Sequence, residues 1–230
     1  MHIPDGYLSP QTYIPLFGVF VSAAAIAVKK VKNEVSARNI PYLGMAAAFS
    51  FIIMMFNLPV PGGTTGHAVG SAVIAIIFGP WAAMLAVSVA LIIQALIFGD
   101  GGITSIGANC FNMAVFMSFA AYYIFKLFSK NKARKSRVSF AAFIAGYLSL
   151  VMASVLTAVE FGIQPLIASS PDGKALYCPY DLSIAVPAMA IEHMLLFGIV
   201  EGIITVIIVN YFLKTEPTLI YAFRNSGKNE

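Results

Sequence analysis

The chain begins MHIPDGYLSP. A free amine followed by histidine at position 2 is a chelator. The Met1 amine and the His2 backbone nitrogen close a five-membered ring on a metal ion, and the same backbone nitrogen with the His2 Nδ1 closes a six-membered ring. The three nitrogens lie nearly in one plane and leave one equatorial position open. The backbone nitrogen must lose its proton, which Ni²⁺ and Cu²⁺ promote well and Co²⁺ less well, and square-planar nitrogen coordination points to the first two. The amine must be neutral to bind, against an ordinary pKa of about 7.7–8.0. The fourth ligand should be another imidazole, and beyond His2 the chain offers His67 and His193. His67 lies in NLPVPGGTTGHAVG, whose glycines and prolines suit a shaped reentrant loop. His193 sits within the last apolar run, and therefore deeper. A histidine on a tail or in a loop is ordinarily a surface residue. The pairing of two on one face, in a chain with few polar side chains, gives the metal reading its weight.

The elements that must position these groups are membrane helices. Of the 230 residues 59% are apolar and 10% are charged, against about 25% charged in a soluble domain, so lipid must cover the surface. Apolar runs cover roughly 12–28, 40–56, 68–79, 80–98, 104–128, 138–160 and 186–213. At about 20 residues per span this predicts a single all-α polytopic membrane domain over residues 1–230 with seven transmembrane helices. The runs are continuous rather than alternating, which excludes a barrel. Gly79-Pro80 separates the third run from the fourth, since proline would disrupt a helix interior. The 68–79 run is short for a full crossing.

Basic residues set the orientation. Lys29, Lys30, Lys32 and Arg38 follow the first run, Lys126, Lys130, Lys132, Arg134, Lys135 and Arg137 surround the fifth-to-sixth loop, and Lys214, Arg224 and Lys228 are in the tail. Seven spans put all of them on one side, with Lys174 alone opposite. The positive-inside rule then places the N-terminus outside and the C-terminus in the cytoplasm. The net charge of +4 thus reports topology rather than nucleic acid. Residues 1–11 lack the basic region of a signal peptide, and bulky His2 protects Met1 from aminopeptidase, so a free Met1 amine is expected outside, on the face of His67.

Other polar residues in apolar surroundings are functional candidates. Gln94, Asp100 and Asn109, near the outer ends of the fourth and fifth spans, are expected either to orient the two imidazoles or to cap and join helices. Glu160 and Glu192 are expected at the outer boundary, solvated. His193 should not pair with Glu192, because adjacent helical residues do not face each other. Glu201 is read as lying toward the cytoplasmic end, where it could touch a partner. Ala23 with Ala27, and Ala83 with Ala86-Val87-Ser88, make small-residue faces for close helix approach. Cys110 and Cys178 lack C-x-x-C spacing and are not expected to pair. There is no H-E-x-x-H motif, and a planar site filled by four nitrogens leaves no open position for a catalytic water, so an enzyme is disfavoured. A stand-alone channel or secondary transporter would favour inverted repeats, and no clear repeat is present. No Walker motif is present, so any ATP must be hydrolysed by other subunits.

MHIPDGYLSP, PGGTTGHAVG and QALIFGDGGITSIGANCFNMA closely resemble the CbiM/NikM family, the metal-binding substrate-specificity (S) components of energy-coupling factor (ECF) transporters for nickel and cobalt. The resemblance covers essentially the whole chain. It implies an S-component fold with one extra N-terminal helix and an N-terminal segment tucked into the outward-facing core. It implies metal ligands at the Met1 amine, the His2 backbone and imidazole nitrogens, and the His67 imidazole, and no further cofactor. It implies partners, namely a coupling transmembrane T component, cytoplasmic ABC ATPase A components and a small accessory membrane subunit, in a bacterial or archaeal cell (inner) membrane. An alanine face of the kind noted above would meet the coupling subunit. Pro4 and Asp5 resemble the nickel branch, so the cargo expected is Ni²⁺, with Co²⁺ as the alternative.

Overall fold

The computed structural model describes residues 1–34, 40–60, 64–129 and 135–224. Arg38, Lys130, Lys132, Arg134, Lys228 and the Arg224 side chain, used above for orientation, lie outside the described residues, as do Pro61, Gly62 and Gly63 of the glycine-rich loop. Helix α1 (Pro10–Glu34) and α2 (Ile40–Met54) are followed by a small antiparallel hairpin, β1 (Leu58–Val60) and β2 (Thr64–Gly66). Then come α3 (Ser71–Phe78), α4 (Pro80–Ile93), α5 (Ile106–Asn109), α6 (Met117–Phe128), α7 (Lys135–Gly162) and α8 (Gln164–Ile167). Helices α9 (Leu182–Glu192), α10 (Gly198–Thr215) and α11 (Tyr221–Arg224) complete the chain.

Each of the seven apolar runs falls on helix. Five helical stretches among the described residues are long and apolar enough to cross a membrane: Pro10–Asn33, Pro80–Phe98, Ile106–Phe128, Lys135–Ile167 and Leu182–Thr215. Helix α2 has 15 residues. Helix α3 has eight, a rise of about 12 Å, and cannot cross alone. Residues 71–77 are buried, so α3 is a half-helix enclosed by the bundle. Gly79 ends it at φ 91°, a conformation that favours glycine, and Pro80 starts α4 at its first turn, where a missing N–H costs nothing.

Three helices widen to a π turn, at Gln94–Phe98, Cys110–Phe116 and His193–Phe197. Such turns concentrate at functional sites. The two ends of α4 mark the two ends of the bundle. Near Pro80, the Tyr221 ring covers Gly79, Tyr122 and Tyr221 sit 5.9 Å apart between ring centres, and Phe125 and Phe223 5.8 Å apart. Near Phe98 lie residues 1–9, the 99–105 loop and the 168–181 loop, joined where the Cys178 N–H donates to the Tyr7 carbonyl. Of the described basic residues, Lys174 belongs to this second end, while Lys29, Lys30, Lys32, Lys126, Lys135, Arg137 and Lys214 flank helix termini at the first.

The small-residue faces turn inward. Ala27 and Ala83 are fully buried and Ala86 and Ser88 nearly so. Ala27, Ala83 and Ala86 serve packing within the chain, and Ala23 is partly buried against the same core. Cys110 and Cys178 are both buried free thiols.

Candidate metal centre

The first nine residues are threaded into the bundle rather than frayed from it. Met1, Ile3 and Leu8 are buried. Asn109 clamps Ile3 from both sides: its Oδ1 accepts the Ile3 N–H at 2.8 Å and its Nδ2 donates to the Ile3 carbonyl at 3.1 Å. The Gly102 N–H donates to the same carbonyl at 2.8 Å. Gly102 has to be glycine, because a Cβ there would run into the Pro4–Asp5 backbone. The Asp5 carboxylate accepts from the Ile103 and Thr104 N–H groups, and the Thr104 bonds hold its pKa below the ordinary value. The Ser9 N–H donates to Gln164 Oε1 at 2.9 Å.

This threading brings Met1 and His2 to His67. The Met1 amine donates to the Thr65 carbonyl at 2.7 Å, on the strand leading to His67. The His2 and His67 ring centres are 4.7 Å apart, with planes 29° from parallel. Their tautomers follow from their partners, since a carbonyl oxygen can only accept. The His67 Nδ1–H donates to the Ala68 carbonyl at 3.0 Å, leaving Nε2 with its lone pair. His2 Nε2 lies 3.3 Å from Gln94 Oε1, and in the tautomer that makes this a hydrogen bond Nε2–H donates and Nδ1 keeps its lone pair. Both remaining nitrogens, His2 Nδ1 and His67 Nε2, are buried and have no hydrogen-bond partner. Asp100 Oδ1 lies 3.5 Å from His2 Nδ1, but an unprotonated nitrogen and a carboxylate form no hydrogen bond.

Burial also sets the charge states. Desolvation pushes the Met1 amine down to about 6 from an ordinary 8.0, against the pull of Glu192 and Asp100. Desolvation, with the amine's charge nearby, pushes His2 down to about 3 and His67 well below its ordinary 6.5. Three nitrogens that a proton would otherwise occupy are therefore biased toward neutrality, the state a metal requires. A cavity of about 380 Å³ reaches Met1 and His2, lined also by Asn57, Asp100, Tyr7 and Tyr180 among others. Burial raises the Asp100 carboxyl above its ordinary value.

Residues 2–219 match the family described as CbiM, the cobalt uptake substrate-specific transmembrane region. The chain belongs to the CbiM family. It is 47% identical over 221 residues to the fused nickel transport protein NikMN of Rhodobacter capsulatus, covering 96% of this chain but 64% of that protein. It is 32% identical over 218 residues to the cobalt transport protein CbiM of Ruminiclostridium cellulolyticum, covering 93% of this chain and 83% of that one. A crystal structure of a transition metal transporter superposes with a TM-score of 0.89 at 42% identity, over 99% of this chain and all of the other. With its apolar helices, this CbiM-family chain is a multi-pass membrane protein.

Of the outer residues of this CbiM-family chain, Gln94 and Asp100 reach His2, while the hydrogen bonds of Asn109 hold the Ile3 backbone. Glu160 and Glu192 are buried rather than solvated. Glu160 accepts from Asn112 Nδ2 at 2.9 Å. His193 does meet Glu192, at 3.1 Å from Nδ1 to Oε1, and the same Nδ1 lies 2.8 Å from the Met189 carbonyl. The widened turn beginning at His193 breaks the ordinary helical spacing. Glu201 does not face a partner. It is fully buried and accepts from the Val69 and Gly70 N–H groups. Thr65 escaped the sequence reading because it contributes a backbone carbonyl, which no side-chain pattern announces.

Proposed function

We propose that this chain is the substrate-capture subunit of an ATP-driven ECF-type transition-metal importer, taking Ni²⁺ in a plane of four nitrogens. These are the Met1 amine, the His2 backbone nitrogen, His2 Nδ1 and His67 Nε2. The observation that carries the reading is the pair of buried, partnerless imidazole nitrogens beside a buried amine. With metal–nitrogen bonds of about 2 Å, two imidazoles at right angles on one ion would hold their ring centres roughly 4.4 Å apart; they stand 4.7 Å apart before any ion is bound. The charge balance also favours a divalent cargo. With the amine already neutral, Ni²⁺ displaces the His2 amide proton alone, so the site gains one net positive charge beside Asp100 and Glu192. Gln94 fixes the His2 tautomer and Asn109 fixes the strand that carries it.

Relatives named for nickel transport support the metal. Relatives named for cobalt transport make Co²⁺ the second reading. The segregation of basic residues supports seven crossings, with the hairpin and α3 together completing one, the N-terminus outside and the C-terminus in the cytoplasm of a bacterial or archaeal cell membrane. The whole chain forms one domain. It is not an enzyme. A T component and ABC ATPase A components, with a small accessory membrane subunit, would supply coupling and ATP hydrolysis. Flux in vesicles without the ATPases would instead mark a stand-alone channel or secondary carrier.

The test is Ni²⁺ binding by purified protein. Wild type should hold one tightly bound ion with the yellow-orange band of a diamagnetic planar site, and His193→Ala should match it. His67→Ala should lose tight binding while folding normally. Equal binding by wild type and His67→Ala would remove the site.

A further inference from the structure

Glu201 is a carboxylate with no exposed surface, midway along the apolar stretch Leu182–Thr215. A carboxyl group in that setting is costly to bury, its Oε1 has no hydrogen-bond partner, and such residues are rarely idle. Its Oε2 accepts the Val69 N–H at 2.8 Å and the Gly70 N–H at 3.0 Å. These donors stand at the start of α3, where Gly70, in the left-handed region at φ 75°, offers no side-chain cap. The Val69 N–H and the Ala68 carbonyl belong to one peptide group, and that carbonyl accepts the His67 Nδ1–H at 3.0 Å. On the other side of Val69, Ser50 Oγ donates to its carbonyl at 2.8 Å. A continuous chain therefore runs from the Glu201 carboxylate through one peptide group to the His67 Nδ1–H, and on to the Nε2 lone pair.

We propose that Glu201 is a positioning residue for His67, acting as the carboxylate of a carboxylate–peptide–imidazole relay. This inference rests on the reading of His67 as a metal ligand. Metal-bound histidines ordinarily donate their second ring nitrogen directly to a carboxylate or a carbonyl, which fixes the tautomer and raises ligand basicity. Here both partners are used in series. The carboxylate pulls on the peptide N–H, the polarised peptide presents a stronger carbonyl acceptor, and the imidazole Nε2 becomes a better donor to metal. The same two bonds hold the 67–70 backbone in register with α10, so a movement of α10 would be felt at the ligand.

The test uses the full chain in detergent. Nickel affinity is read by chelator competition, the planar site by its absorption band, and folding by the thermal midpoint of the metal-free protein. Glu201→Gln keeps an acceptor oxygen and replaces the carboxyl with an amide, and should weaken binding by a few-fold to about 10-fold with a shifted band. Glu201→Ala loses both and should weaken it by about 10–100-fold, the range for outer partners of metal ligands. Because Glu201 acts through His67, the double variant Glu201→Ala/His67→Ala should match His67→Ala in affinity and spectrum. If Glu201→Ala does not fold, Glu201→Gln decides alone. Wild-type affinity and an unshifted band in a folded Glu201→Gln would overturn the proposal, as would an undiminished Glu201→Ala effect in the His67→Ala background. If wild type and His67→Ala bind nickel alike, it is the ligand assignment that fails.

Discussion

Residues 1–9 enter the bundle through directional polar contacts, and residues 217–224 pack aromatic rings on its other end. At the N-terminal end, Thr65, Asn109, Gly102 and Gln164 each meet a specified backbone atom of the leader. At the C-terminal end, Ile220 and Ala222 are buried, Tyr221 covers Gly79, and Phe223 lies against Phe125. Both arrangements remove apolar surface from water or headgroups. They differ in what they specify. A hydrogen bond fixes the place of a donor atom to a few tenths of an ångström, while apolar contact is non-directional and tolerates sliding. A leader proposed to deliver an amine, an amide nitrogen and a ring nitrogen to one point needs the first kind. A tail that only closes the far end of a bundle can use the second.

The largest expected effect comes from adding one alanine before Met1. The Met1 nitrogen becomes an amide, and the new amine has to occupy space beside the Thr65 carbonyl that the fold has already filled. Nickel affinity should fall by more than about 100-fold, beyond the range for outer partners alone. One tightly held Ni²⁺ per chain, in protein whose extension is verified by mass spectrometry, would show that the terminal amine is not a ligand.

Next is Asn109→Ala, which leaves both His residues in place and removes the clamp on Ile3. The affinity should drop by about 10–100-fold, with a stability cost of about 1–3 kcal/mol for a buried N–H left unpaired. Unchanged affinity would mean that Gly102 and Asp5 suffice to hold the leader, and that the polar threading is redundant rather than specifying.

The comparison also explains what could be read without coordinates. The chelating capacity of Met1-His2 is legible because its geometry is covalent: ring sizes follow from bonds, not from folding. The His67 pairing is legible once topology places both on one face, and the structure does bring them together. The burial of Glu160, Glu192 and Glu201 is not legible. In a soluble helix a polar residue marks the outside, but in a membrane helix the outside is as apolar as the core, so periodicity loses its sign. The His193–Glu192 pair is hidden for a second reason, since a pattern assuming 3.6 residues per turn fails at a π turn. The half-helix nature of α3 shows in the sequence only as a short run, and its enclosure depends on contacts from Glu201 and Ser50, distant in the chain.

A milder perturbation is pH, which reads how deeply the leader is buried. In the proposed site, nickel would expel the His2 amide proton at every pH, and also the Met1 amine proton wherever the amine is charged. With the amine at about 6, affinity should fall by about one decade per pH unit as pH drops from 8 to 6, and by about two decades per unit below that. The sign is fixed: a lower pH weakens binding, because protons compete for the ligands. Titration by chelator competition between pH 5 and 8.5 checks the break. A break near 8 would mean that the amine is hydrated before binding and that the leader folds in only with the metal.

The smallest effect on the site should come from the far end, and it is the sharpest check on the contrast. Tyr221→Ala uncovers Gly79 and removes one ring from the Tyr122–Tyr221 contact. Loss of that packing should cost about 1–3 kcal/mol of stability, the ordinary range for a partly buried residue. Nickel affinity should stay within about twofold of wild type, because changes at sites far apart behave additively. The thermal midpoint of the metal-free protein and chelator competition, measured on the same preparation, separate the two quantities. A lowered midpoint with intact affinity is the signature of an end that closes the bundle without specifying the site. A tenfold loss of affinity would show instead that α3, which runs from the His67 loop to Gly79, carries strain from one end to the other, and the two ends could then no longer be treated as independent.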